Sequence, residues 1–216
     1  MWLRIDERTD VVLSLDLCLR CLRLVRKEPG FWKWAIVSMH NAIQGAMVCH
    51  LSGTAHLGAL TDKCIDAWLD WHERDGRGEI KRIKIGTNEQ GISEYRFATA
   101  KDFPPDEKLA DANVLFKRLY GQNNRRERGG AILSISTAQR ESFRRLHDLR
   151  NGFTHFTPKG WSIELSGLAN IFLDMVDVLD QISADSWPFR NMSEKELANL
   201  RKVLKELRTQ LAGLCR

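Results

Sequence analysis

The segment Arg150-Asn151-Gly152-Phe153-Thr154-His155 brings together the side-chain types that phosphate chemistry uses. Histidine has an ordinary pKa near neutrality, so it takes or gives a proton under mild conditions. Arginine is a permanent cation, and its forked N–H groups match phosphate oxygens. Asn151, directly after Arg150, is placed to orient either group. The same residues also suit a plain helix end. A cation is favourable near a helix C-terminus, and Asn and Gly are good stop residues. On that second view His155 is a satisfied, half-buried histidine, and Phe153 and Phe156 are core.

The spacing alone carries little information. With 21 Arg and 6 His in the chain, Arg and His separated by four to six residues arise by chance about 1.75 times. Two such pairs exist, Arg140 with His147 and Arg150 with His155. Requiring Asn directly after Arg lowers the chance expectation to roughly 0.07. Only Arg150-Asn151 passes. This segment, and the helical order around it, resembles the Arg-x(4–6)-His signature of the HEPN superfamily in its form with a polar residue after Arg. The resemblance does not extend to residues 79–130. It implies an all-α antiparallel bundle and a metal-independent endoribonuclease of a toxin–antitoxin or phage-defence system. His155 would then activate the ribose 2′-OH or protonate the leaving oxygen, Arg150 would bind the phosphate, and Asn151 would complete the site. It also implies a homodimer, no cofactor and no metal. Many HEPN-like domains are non-catalytic, so a module binding RNA, a nucleotide or a protein partner is the competing expectation. In HEPN toxins paired with small nucleotidyltransferases a Tyr stands two residues after the His. Here that residue is Thr157, so regulation through such a Tyr is excluded.

Charge points to the same region. The chain carries +5 over 216 residues. Residues 117–150 hold +6, leaving −1 for the remainder. A clustered basic segment neutralises phosphates efficiently, whereas scattered charge does not. Arg140, Arg144, Arg145 and Lys159 are therefore expected to hold RNA backbone, and Phe153, Phe156 or Trp161 to stack a base. A second polar group, His40 with Asn41 and Gln44, is expected either to line the same cleft or to form a buried hydrogen-bonded network. Cys18 and Cys21 form a C-x-x-C within an apolar helical run, with no second pair to complete a zinc site. Five cysteines without a framework, and no secretory pattern at Met1–Asp10, suggest reduced thiols in the cytoplasm.

The elements that must position these residues read as helices. Thr9–Lys27 has one apolar face at three-four spacing. Residues 34–61 lack Asp, Glu, Lys and Arg but include three His, Asn41, Gln44 and three Gly. That fits a helix buried in a bundle, from Trp32 to about Ser52, and not a membrane span. Thr61 caps a short third helix. Residues 79–97 alternate like a small hairpin or ordered loop around the Asn88–Gly91 turn. Further helices are expected over Asp106–Tyr120, Thr137–Asn151, Ile163–Ile182 and Ser193–Leu214, the last with a Ser193/Glu196 capping box. The expectation is one domain over 1–216, with an irregular or β-hairpin insertion over 76–105 and a mobile basic loop at 121–130.

Overall fold

A computed structural model describes residues 2–3, 5–155, 160 and 162–215. Among them are seven α-helices and one two-stranded antiparallel hairpin, the all-α bundle with a small β insertion that the sequence implies. The chain divides into two compact units, 1–59 with 111–216, and 60–110.

The larger unit is built round one helix. α1 spans Glu7–Leu24 and α2 spans Phe31–Leu51. The Asp6 side chain accepts from Thr9 N–H at 2.8 Å, so α1 begins two residues before Thr9. α2 is buried on most of its circumference, through Ile36, Met39, Ile43 and Met47 and also His40 and His50. It packs on α1, α4 (Ala112–Tyr120), α5 (Thr137–Thr154) and α6 (Leu168–Ala184). Enclosure by four other helices leaves α2 little room for charge, which accounts for the uncharged run over 34–51. No helix among the described residues is long and apolar enough to cross a membrane. α7 (Glu194–Leu214) closes the unit against α1 and α6, and opens on the Ser193/Glu196 capping box.

The bounds of α4, α5 and α6 also differ from the sequence expectation. α4 starts at Ala112 instead of Asp106, because the Asp111 carboxylate accepts from Asn113 N–H at 2.8 Å and supplies the cap. Residues 104–108 instead form no helix and lead to the Leu60–Leu109 bridge. α6 starts at Leu168, after Gly167 takes the left-handed conformation at φ 79°. α5 is capped by Ser136, whose hydroxyl and Gln139 form a reciprocal box, and it runs past Asn151 and Gly152 to Thr154.

The smaller unit, 60–110, is wider than the expected 76–105 insertion and includes α3 (Asp62–Gly76). Its reason is aromatic: Trp71 meets Phe97 edge-on at 6.2 Å, and Phe97 lies 5.0 Å from Phe103. Trp71 Nε1–H donates to the Asp102 carbonyl at 3.0 Å. β1 (Arg82–Thr87) pairs with β2 (Ser93–Phe97), Arg82 opposite Phe97, with an irregularity between Lys84 and Gly86. Asn88 Oδ1 accepts from Gln90 and Ile92 N–H and closes the turn.

Candidate functional site

α5 carries the Arg-Asn-x(3)-His segment on its last two turns. Ser136 and Gln139 fix its start, and Phe143, Leu146 and His147 bury its inner face. Phe143 stacks on Phe116 at 4.0 Å and 5°, which pins α5 to α4. At the far end, Arg150 and Asn151 are half-buried, and His155 is exposed. The His155 amide donates to the Asn151 carbonyl at 2.9 Å, so this histidine ends the helix while its ring stays at the surface.

Asn151 is the centre of a polar chain that runs inward. Arg150 Nη1–H donates to Asn151 Oδ1 at 2.9 Å. Asn151 Nδ2 is 3.0 Å from His147 Nε2, and His147 Nδ1 is 2.9 Å from His40 Nε2. His147 is 8 % exposed and His40 is fully buried. Both rings lie beside Phe143, tilted about 20° from its plane. Burial, followed by the positive charge of Arg150 and the neighbouring His147 ring, pushes the His40 pKa down to about 3, so His40 is neutral. Two buried atoms of this network, His40 Nδ1 and Arg150 Nε, have no hydrogen-bond partner among the described residues.

The structure separates the other expected site residues. His40 joins the network. Asn41 is exposed and Gln44 half-buried, and no hydrogen bond links either to it among the described residues. Arg140 donates to Thr137 Oγ1 at 3.0 Å and lies over the Tyr120 ring at 5.4 Å. Arg144 is held by two carboxylates, Glu141 at 2.5 Å and Asp148 at 3.1 Å. Arg145 is exposed. Lys159, Phe156 and Trp161 lie outside the described residues. Two further cations of the basic segment are structural. Arg118 is buried and donates to the Gly58 carbonyl at 3.0 Å. Arg125 spans the Arg118, Leu119, Gly130 and Ala131 carbonyls.

The residue that sequence reasoning missed is His147. It is one half of the Arg140/His147 pair set aside for lack of a following Asn. Its signal was its spacing four before Asn151, which puts both on one helix face. Cys18 and Cys21 behave as fillers: both are buried, and burial pushes both thiols up. Set against family models, curated proteins and solved structures, the chain matches none.

Proposed function

We propose that the chain is a HEPN-like, metal-independent endoribonuclease, with Arg150, Asn151 and His155 as its site. The observation that carries this reading is the use of Asn151. A residue serving only as a helix stop would leave its amide to solvent, and α5 would end there. Instead α5 continues to Thr154, and the Asn151 amide bonds Arg150 at one end and His147 at the other. The arginine is thereby oriented, and His155 is left exposed one turn further on.

The chemistry follows from those groups. His155 takes the proton of a ribose 2′-OH as its oxygen attacks the adjacent phosphorus. Arg150 stabilises the added charge on the phosphorane oxygens. The bond from phosphorus to the 5′-oxygen breaks, and that oxygen takes a proton from a second, protonated imidazole of the homodimer to leave as a 5′-OH, with a 2′,3′-cyclic phosphate left behind. Arg145, Arg140 and Lys159 would hold flanking phosphates. The setting is a cytoplasmic toxin–antitoxin or phage-defence system, with a homodimer as the working form. The five free cysteines fit a reducing compartment.

The test is incubation with end-labelled RNA in EDTA. Cleavage to cyclic-phosphate ends is expected. It should fall at least about 10²-fold in Arg150→Ala and His155→Ala, with helical circular dichroism retained. No cleavage on several RNAs overturns the reading. It would favour instead a silent HEPN-like module that binds RNA, a nucleotide or a protein, for which the inward-running network serves to lock α5 to α2.

A further inference from the structure

The hydrogen bonds from Arg150 to His40 fix the protonation of two buried rings. A guanidinium only donates, so the Asn151 atom facing Arg150 Nη1 is the carbonyl oxygen. The other end of the amide, Nδ2, is also donor-only. His147 Nε2 must therefore accept, and it carries no hydrogen. A neutral imidazole with a bare Nε2 has its hydrogen on Nδ1. His147 Nδ1–H thus donates to His40 Nε2, which is bare in turn. The hydrogen of His40 is left on Nδ1, a buried atom with no acceptor among the described residues. Each bond satisfies the next only if the chain starts at a group that cannot accept, and Arg150 is that group.

We infer that His147, backed by His40, is a positioning residue whose bare Nε2 holds Asn151, and through it the Arg150 guanidinium, in the orientation a phosphate requires. This rests on the reading of Arg150 as the phosphate ligand. A proton on His147 Nε2 would face the two hydrogens of Asn151 Nδ2 and release the amide. Burial opposes charge on His40, and a bare His147 Nε2 keeps the run of hydrogen bonds intact. The orphaned His40 Nδ1–H is the cost of running the chain in this direction, since buried donors are ordinarily paired.

The first measurement is long-range ¹⁵N–¹H NMR on the full chain near neutral pH, with the six histidines assigned by substitution. His147 and His40 are expected in the Nδ1–H form. Asn151→Asp replaces the donor with an acceptor and should place a proton on His147 Nε2. A wild-type His147 protonated at Nε2, or an Nε2 unchanged in Asn151→Asp, overturns the inference. The second measurement uses RNA cleavage. Gln mimics Nε2 of histidine and Asn mimics Nδ1, so His147→Gln keeps an acceptor for Asn151 and His147→Asn does not. His147→Asn should lower kcat about 10²-fold with little change in KM, and His147→Gln should recover most of that loss. Equal loss in both variants means that His147 only fills space, and overturns it. A wild type that binds but does not cleave RNA removes the endoribonuclease reading alone, and the NMR result still decides the positioning role.

Discussion

His40 lies fully buried on α2, and its environment sets how this protein responds to acid. Arg150 and His147 from α5 disfavour its protonation, Asp111 at the start of α4 favours it, and burial dominates, leaving a pKa of about 3. In the unfolded chain the ring returns to about 6.5. Between those values the unfolded state binds more protons, so stability rises with pH. The contribution is fully present above about 6.5 and is lost as pH falls toward 3. His50, also buried and pushed down, acts in the same direction. Carboxylates such as Asp6 and Asp185 are held below their ordinary values and titrate lower. The window from about pH 4.5 to 6.5 therefore reports on histidine. Urea midpoints across that window should fall with acid in the wild type. His40→Gln should flatten the slope by up to about 1.4 kcal/mol per pH unit, one proton's worth. An unchanged slope would mean that His40 is already protonated in the folded state. At this scale the sequence is partly legible. Arg150, Asn151 and His155 stand out by residue type and adjacency. The Asn151–His147–His40 chain does not, because its last step joins residues 107 positions apart and only the packing of α5 on α2 creates it.

The segment over 121–131 shows how an element with polar, Gly-flanked composition becomes anchored. Two of its side chains, Glu127 and Arg125, bond to backbone groups around it. Glu127 accepts from the Ala55, Leu57 and Gly58 amides at 2.7–2.8 Å, and Arg125 donates to four carbonyls. Between those amides, His56 sits at φ 59°, a conformation a bulky side chain adopts only when its surroundings hold it there. A Cβ on Gly129 would fall 2.5 Å from the His50 carbonyl oxygen, so the chain passes close where only glycine fits. Removing the Glu127 carboxylate strands three backbone donors. Glu127→Ala should cost about 2–4 kcal/mol in urea denaturation, because unmade bonds to partly buried amides are expensive. Glu127→Gln retains one acceptor oxygen and should recover part of the loss. A cost near zero in Glu127→Ala would mean that solvent replaces the carboxylate. Local signals elsewhere were legible because they act within four residues. The Ser193/Glu196 box sets the start of α7, and the Asn88–Gly91 turn sets the hairpin. The α4 boundary was not legible, since Asp106 and Asp111 are equivalent caps until the pairing of Leu60 with Leu109 draws the intervening chain out. The anchoring by Glu127 was illegible for the same reason, its partners lying some 70 residues away.

Across the whole chain, the basic excess of residues 117–150 divides between structure and surface. Arg118 and Arg125 hold carbonyls, Arg144 holds two carboxylates, and Lys117, Arg128, Arg140 and Arg145 remain exposed. Each chain thus presents one Arg150 and one exposed His155 beside modest positive charge. The proposed endonucleolytic transfer would make a demand that this arrangement meets poorly alone. The attacking 2′-oxygen and the departing 5′-oxygen occupy opposite sides of the phosphorus, one losing a proton as the other gains it. A single imidazole cannot stand on both sides at once. A two-fold axis beside His155 would supply the second imidazole and a second guanidinium from an identical surface. The site would then be one cleft built from two chains. Mixing wild-type protein with an Arg150→Ala/His155→Ala partner, after exchange of subunits, separates the cases. If each chain works alone, an equal mixture keeps about half of the wild-type activity at the same total concentration, whereas if both chains must be intact it keeps about a quarter, because only one dimer in four is wholly wild type. Sedimentation at the assay concentration should show a dimer. A monomer, or activity strictly proportional to the wild-type fraction, would place both proton transfers within one chain. One imidazole would then serve both oxygens in turn, and the rate would be limited by its movement between them.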